Sequence, residues 1–175
     1  RVLFRSQENA GRVLKVAADP QIPDIVRKEA LRLLAVWTAP APADQFTGHW
    51  RPLAKRDPET IRPALAAALP RLLDQQGFVL TAALGLIAQY QMKIDGLDNT
   101  SLASLVGKLN LPPQARANAL NLLIERKPDD LPGLLAKISG DSSDEVALAA
   151  LTAISRLSPE TALPSLLAAV NSPHA

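Results

Sequence analysis

The 175 residues contain no cysteine, which excludes disulfides, thiolate metal sites, cysteine nucleophiles and covalent haem attachment within this stretch. Aromatic residues supply only 3%, so a core has to be assembled from leucine, alanine, valine and isoleucine. That palette suits helices packed closely along a repeating seam. No apolar run approaches the roughly 18 residues that suggest a membrane span, and the N-terminal stretch lacks the apolar centre of a signal peptide. Gly-x-Ser-x-Gly elbows, phosphate-cradling glycine loops and His-Glu-x-x-His pairs are all missing, so the common signatures of hydrolases, nucleotide binders and zinc peptidases have no foothold.

Charge is nearly balanced. The formal net charge of +2 is carried by Arg1 and Arg5, and residues Arg1 to Ser6 look more like one reading frame of a short sequencing adapter than like protein. Setting them aside as an expected artefact leaves 17 basic and 17 acidic side chains. From Gln7 to Ala88 there are 10 basic and 8 acidic residues, and from Tyr90 onward 7 and 9. Such a balance does not give the phosphate-neutralising stripe that a DNA-gripping helical repeat needs, and no nucleic-acid partner is expected.

What is present is a repeated pair of phrases. Leu69-Pro70-Arg71-Leu72-Leu73, Leu102-Ala103-Ser104-Leu105-Val106, Leu131-Pro132-Gly133-Leu134-Leu135 and Leu163-Pro164-Ser165-Leu166-Leu167 begin 33, 29 and 32 residues apart, the spacing of a stacked helical repeat. A second phrase fills the gaps: Val26, Ala30, Leu31, Leu34; then Val79, Ala83, Leu84, Ile87; then Ala115, Ala119, Leu120, Leu123; then Val146, Ala150, Leu151, Ile154. Two alternating helix types imply hairpins laid side by side.

Gln7 to Ala18 reads as a first helix, stopped by Asp19-Pro20 because proline cannot continue the ladder. Pro23 opens Asp24 to Val36, whose Ile25, Val26, Ala30, Leu33, Leu34 and Trp37 recur at helical spacing, with Arg27, Lys28, Glu29 and Arg32 expected to face water. Thr38 to Asp57 breaks the pattern with three prolines, and Trp37, Phe46 and Trp50 are three of the six aromatics in the chain. The excess of the 53-residue step from Ala30 to Ala83 over the later steps of 36 and 31 marks an insertion there, and in repeats insertions sit in loops. Asp57-Pro58-Glu59 restarts a helix with a cap, a proline and an acid in its first turn, while Pro63 and Pro70 predict that this element is kinked or split. Gly77 then introduces Phe78 to Tyr90, and Gly96 closes the repeat. Asn99 or Thr100 is expected to cap Ser101 to Leu109, Pro112 and Pro113 to open Gln114 to Arg126, and Pro128-Asp129-Asp130 to open a further helix closed by Gly140. Ser142 and Glu145 fit a capping box before the stripe Val146, Ala150, Ile154, Leu157. Asp129-Asp130 and Asp144-Glu145 are read as helix-start acids favoured by the helix dipole rather than as catalytic pairs.

One hairpin orders about 30 residues at roughly 1 to 2 kcal/mol each, while each buried leucine or valine returns about 1.5 to 3 kcal/mol. No hairpin is therefore stable alone, and neighbours must cover it. The last helix, Leu163 to Val170, is expected to lack such cover, as in a fragment whose C-terminal cap has been lost.

The alternating phrases resemble HEAT repeats, in particular the short kind grouped with phycobilin-lyase HEAT-like repeats, over Gln7 to Ala175. Asp24-Ile25-Val26-Arg27 with Ala30-Leu31, and Asp144-Glu145-Val146 with Ala150-Leu151, look like the inner-helix motif. The arginine that commonly follows the valine stands as Arg27 and Arg116 but is replaced by Leu80 and Ala147, which argues against a continuous arginine and aspartate ladder. The resemblance implies an all-α, right-handed α-α superhelix, a HEAT-like solenoid of four to five hairpins with one long proline and aromatic loop at 38–57. A narrower stretch, Glu29-Ala30-Leu31 through Trp37 and on to Gly48-His49-Trp50-Arg51-Pro52-Leu53 and Arg56-Asp57, is similar to the HEAT segment of large planctomycete-type membrane-bound dehydrogenase or haem-binding proteins. In that family a sugar-dehydrogenase-like propeller precedes the repeats and a c-type cytochrome module follows, which implies an extracytoplasmic setting. Neither propeller nor Cys-x-x-Cys-His occurs here, so no catalytic residue and no cofactor is carried over.

The chemically capable groups concentrate in one place, where His49 and Trp50 lie near Asp44, Arg51, Arg56 and Asp57. A lone histidine gives no metal-ligand set, and His174 stands apart in the terminal tail. One reading straps the loop to the repeats through Trp37, Phe46, Trp50 and Leu53. The other makes Trp37, Phe46, His49, Trp50 and Arg51 a docking surface for a protein or a neighbouring domain of the same parent chain, with Trp50 and Arg51 as anchors of the residue types enriched at binding hot spots. The sequence as a whole reads as a non-catalytic scaffold or docking segment of a larger protein, with a free-standing protein-binding HEAT module as the alternative.

Overall fold

The computed structural model describes residues 6–43, 47–50, 52 and 54–157, and among them the chain is all-helical. It divides into two compact units, Arg1–Ile94 and Asp95–Ala175. The first holds α1 (Gln7–Ala18), α2 (Asp24–Ala35), a 3₁₀ turn (Pro58–Thr60), α3 (Arg62–Leu73) and α4 (Phe78–Gln89). The second holds α5 (Asn99–Gly107), α6 (Pro113–Arg126), α7 (Leu131–Ile138) and α8 (Asp144–Leu157). The phrase at Leu163, the last helix and its uncovered face fall outside the described residues.

In the first unit α1 pairs with α2 and α3 with α4, and the pairs stack like on like, α1 against α3 and α2 against α4. The second unit repeats part of the scheme, with α5 on α6, α7 on α8 and the second helices of the two pairs together, α6 against α8. Each core follows from the two phrases. Leu65, Leu69 and Leu72 of α3 are buried along with Leu14 and Leu34 in one, and Leu102, Val106, Leu131 and Leu135 along with Leu120 and Leu123 in the other. With so few aromatics, the core also takes in small residues, among them Ala10, Ala17, Ala30, Ala83, Ala119 and Ala150, each almost wholly buried.

Proline and glycine set most boundaries where the sequence puts them. Pro23 and Pro112 stand just before α2 and α6 in an extended conformation. Gly77 precedes α4 at φ +63°, a left-handed conformation that costs glycine nothing and a branched residue a great deal. The element after the long loop is indeed split: Asp57 accepts from the amide of Glu59 at 2.9 Å and opens a 3₁₀ turn rather than an α-helix. Pro63 then lies in the first turn of α3 and Pro70 inside it. Ser6 caps α1, its hydroxyl accepting from the amide of Asn9 at 3.2 Å.

Several local expectations are corrected. Asp98, not Asn99 or Thr100, caps α5, accepting from Ser101 N at 2.7 Å, and the helix stops at Gly107, leaving Leu109 exposed. The carboxylate is the stronger acceptor, and the hydrogen bond from the Ser101 amide, first among the causes, holds Asp98 below its ordinary pKa. Asp130 stands at the start of α7 but makes no capping bond with its side chain. The Ser142 and Glu145 box does not form among the described residues. Asp141 organises that turn instead, its Oδ1 accepting from Ser143 N at 3.0 Å. Leu157, expected on the buried stripe of α8, is exposed.

The largest correction concerns α2. Arg27, expected in water, is 6% exposed, whereas Ile25, Val26 and Leu33, expected in the core, are 77%, 46% and 39% exposed. The buried face is Arg27, Ala30, Leu31 and Leu34. Arg27 turns inward because it has acceptors there: Nε donates to Ala17 O at 3.1 Å, closing an orphan carbonyl at the end of α1, and the guanidinium donates to Gln75 Oε1 and lies 5.4 Å from the centre of the Phe78 ring. Arg116 does the same in the second unit. It is 3% exposed, donates from Nε to Val106 O at 2.8 Å and makes a two-pronged pair with Asp141. Each arginine thus ties its own hairpin at the back and the turn of the following hairpin in front.

Candidate docking surface

The long loop grows out of a firmly held base. Tyr90 Oη donates to Leu34 O at 2.6 Å and Gln89 Nε2 to Ala35 O, so the last carbonyls of α2 are capped from the end of α4. Arg62 Nε donates in turn to Tyr90 O at 2.9 Å and pairs with Glu59. Trp37, the first residue past this base, is buried. The Arg56 amide then donates to Thr38 O at 2.9 Å, which closes the loop at its neck.

Beyond the neck the chain makes an isolated antiparallel bridge between Ala43 and Trp50, with Gly48 at φ +68° supplying the reversal and His49 N donating weakly to Thr47 Oγ1 at 3.5 Å. Trp50 is 71% exposed, with His49 exposed beside it. Of the five residues singled out in the sequence, then, the structure separates Trp37 from Trp50. The former is a core residue and the latter a surface one. Phe46 and Arg51 lie outside the described residues, as do Asp44 and Leu53.

A second surface went unread in the sequence. Val13 and Val16 of α1 with Ile25, Val26 and Leu33 of α2 line an open apolar depression of about 400 Å³ over the buried Ala30. Its one charged group is Glu29, whose carboxylate is held below the usual range first by the hydrogen bonds from Arg32. The signal for this face was present: the apolar residues of α2 wrap far beyond the roughly 100° stripe that one covered helix face requires, so a single neighbour cannot cover them.

Among the described residues no group of three or more histidine, aspartate or glutamate side chains is placed to hold a metal ion. No described helix is long and apolar enough to cross a membrane. No family model, curated protein or solved structure matches the chain.

Proposed function

We propose that this chain is a non-catalytic docking segment, a HEAT-like stack of helical hairpins that holds neighbouring domains of a larger parent protein, in the manner of the dehydrogenase and haem-binding proteins that its sequence resembles. The finer architecture, one right-handed superhelix, is part of the same proposal. The observation that carries the reading is the contrast inside one loop: Trp37 is buried while Trp50 stands 71% exposed on a tip whose neck is fastened by the Arg56 to Thr38 hydrogen bond. An exposed indole on a fixed support loses little conformational freedom on binding, and tryptophan is among the residues that dominate interface energies. His49 beside it supplies a polar edge of the kind that rims such contacts. The packing of second helix on second helix in both units, α2 with α4 and α6 with α8, supports the repeat reading.

The test is Trp50→Ala, measured against the adjoining module of the parent protein supplied as a separate chain. Helicity and the thermal midpoint stay unchanged, and affinity falls at least about tenfold, the effect of a modest hot spot. Loss of folding would make Trp50 a strap, and unchanged affinity would remove it from the interface. Either result ends the proposal.

A further inference from the structure

The second surface, on α1 and α2, identifies its own occupant. Within each unit the later inner helix packs on the earlier one, α4 on α2 and α8 on α6. At the position of Val26 in the inner-helix phrase, α4 and α8 carry Val79 and Val146, 1% and 0% exposed, and at the position of Leu33 they carry Leu86 and Ala153, 2% and 3% exposed. Only in α2 are these two positions open, and they are the walls of the depression. The residue types match the covered hairpins, while the cover is absent from the described structure.

The polar half of the same joint is also in place. A following hairpin receives its predecessor's arginine on a side chain three residues before its inner helix: Gln75 before α4 takes Arg27, and Asp141 before α8 takes Arg116. Three residues before α2 stands Gln21, exposed and with no side-chain partner among the described residues. Two residues earlier Asp19 accepts the Gln21 amide on Oδ1 at 2.9 Å, as Asp141 accepts that of Ser143 at 3.0 Å. The α1–α2 turn therefore offers both acceptor types found at the two occupied joints, a carboxamide and a carboxylate with one edge fixed by a backbone amide.

We infer that the α1–α2 face is the receiving half of a joint, and that its occupant is a further helical hairpin of this same build, with an aliphatic seam over Val26 and Leu33 and an inner-helix arginine reaching Asp19 and Gln21. A second copy of this chain is the poorer occupant, because Arg27 and Arg116 are both already engaged. The inference is independent of the Trp50 loop.

The lack of cysteine provides a clean test. In a Leu33→Cys chain the single thiol reports access to the face through its rate of maleimide labelling. A copy of Asp98–Asp130, comprising α5, α6 and their connector, is fused ahead of Gln7, so that the duplicate of Arg116 occupies the arginine position of the added hairpin. Labelling at Leu33→Cys is expected to slow at least about tenfold, as for a residue moving from surface to core. Changing the added arginine to methionine restores part of the rate, and Asp19→Ala with Gln21→Ala does the same. Unchanged labelling in the fusion overturns the inference, whether the added hairpin is folded or not. So does a dimer of the unfused chain that dissociates on Leu33→Glu, which would give the face to a second copy.

Discussion

The two units solve one problem with different chemistry. Both bury an arginine between hairpins, and both satisfy its Nε with a carbonyl from the end of the preceding helix, Ala17 in one and Val106 in the other. They differ in what faces the charge. Arg116 meets Asp141, whose side chain is only 10% exposed, in a two-pronged ion pair. Arg27 meets the neutral carboxamide of Gln75 and the face of Phe78, with its nearest carboxylate, Asp24, at 3.5 Å and largely in water. Arg27 spreads its charge over a ring face and a solvent-exposed carboxylate, whereas Arg116 depends on one nearly buried counter-charge. The first joint is therefore expected to tolerate loss of its acceptor better than the second.

The sharpest way to expose that difference is Asp141→Ala. It leaves Arg116 buried and unpaired, and a loss of about 3 to 5 kcal/mol is expected in urea unfolding. Gln75→Ala removes the bonds to Arg27 and to Ala18 O, yet leaves the cation its ring and Asp24. A loss of about 1 to 3 kcal/mol is expected, and equal losses at the two sites would erase the contrast.

Acid should separate the units as well. Burial alone would raise the Asp141 pKa, but the Arg116 hydrogen bonds, the Ser143 amide and the Arg116 charge outweigh it and hold the group below its ordinary value. A folded-state pKa below the unfolded one, about 3.9 for aspartate, means that the pair's contribution is complete above that value and is lost as pH falls through the folded pKa. Stability measured from pH 5 downward should therefore fall, and Asp141→Asn should flatten that slope, while Gln75→Ala should leave it intact.

Smaller effects test the base of the loop. Tyr90→Phe deletes the bond to Leu34 O, which keeps the Trp37 amide as a donor at 3.2 Å. A cost of about 0.5 to 1.5 kcal/mol is expected. Trp50→Ala, on the exposed tip, should change stability by less than about 0.5 kcal/mol.

The helices were legible because proline and glycine punctuate them: Asp19-Pro20, Pro23, Gly77 and Pro112 each act through backbone geometry that needs no tertiary partner. The orientation of α2 was not. Hydropathy places Arg27 in water, but its long stem and five donors let it serve as a core residue once Ala17 O and Gln75 are within reach, and both acceptors are supplied by other elements. Val26 and Leu33 were misread for the converse reason, since a periodic stripe says that a face is apolar and not whether anything lies on it. The long loop was legible as a composition, two tryptophans among prolines, yet the pairing of Ala43 with Trp50 and the exposure of Trp50 are not specified by local propensity.

The hydrogen bond between Arg56 and Thr38 sets a rule for change in this protein. Because the neck is shut by backbone atoms above a base anchored by Tyr90 and Arg62, substitutions at the exposed positions 47–50 are expected to leave the helices beneath undisturbed. Under the docking role we propose, the loop tip is then the place where partner choice would change while the hairpins stay as they are.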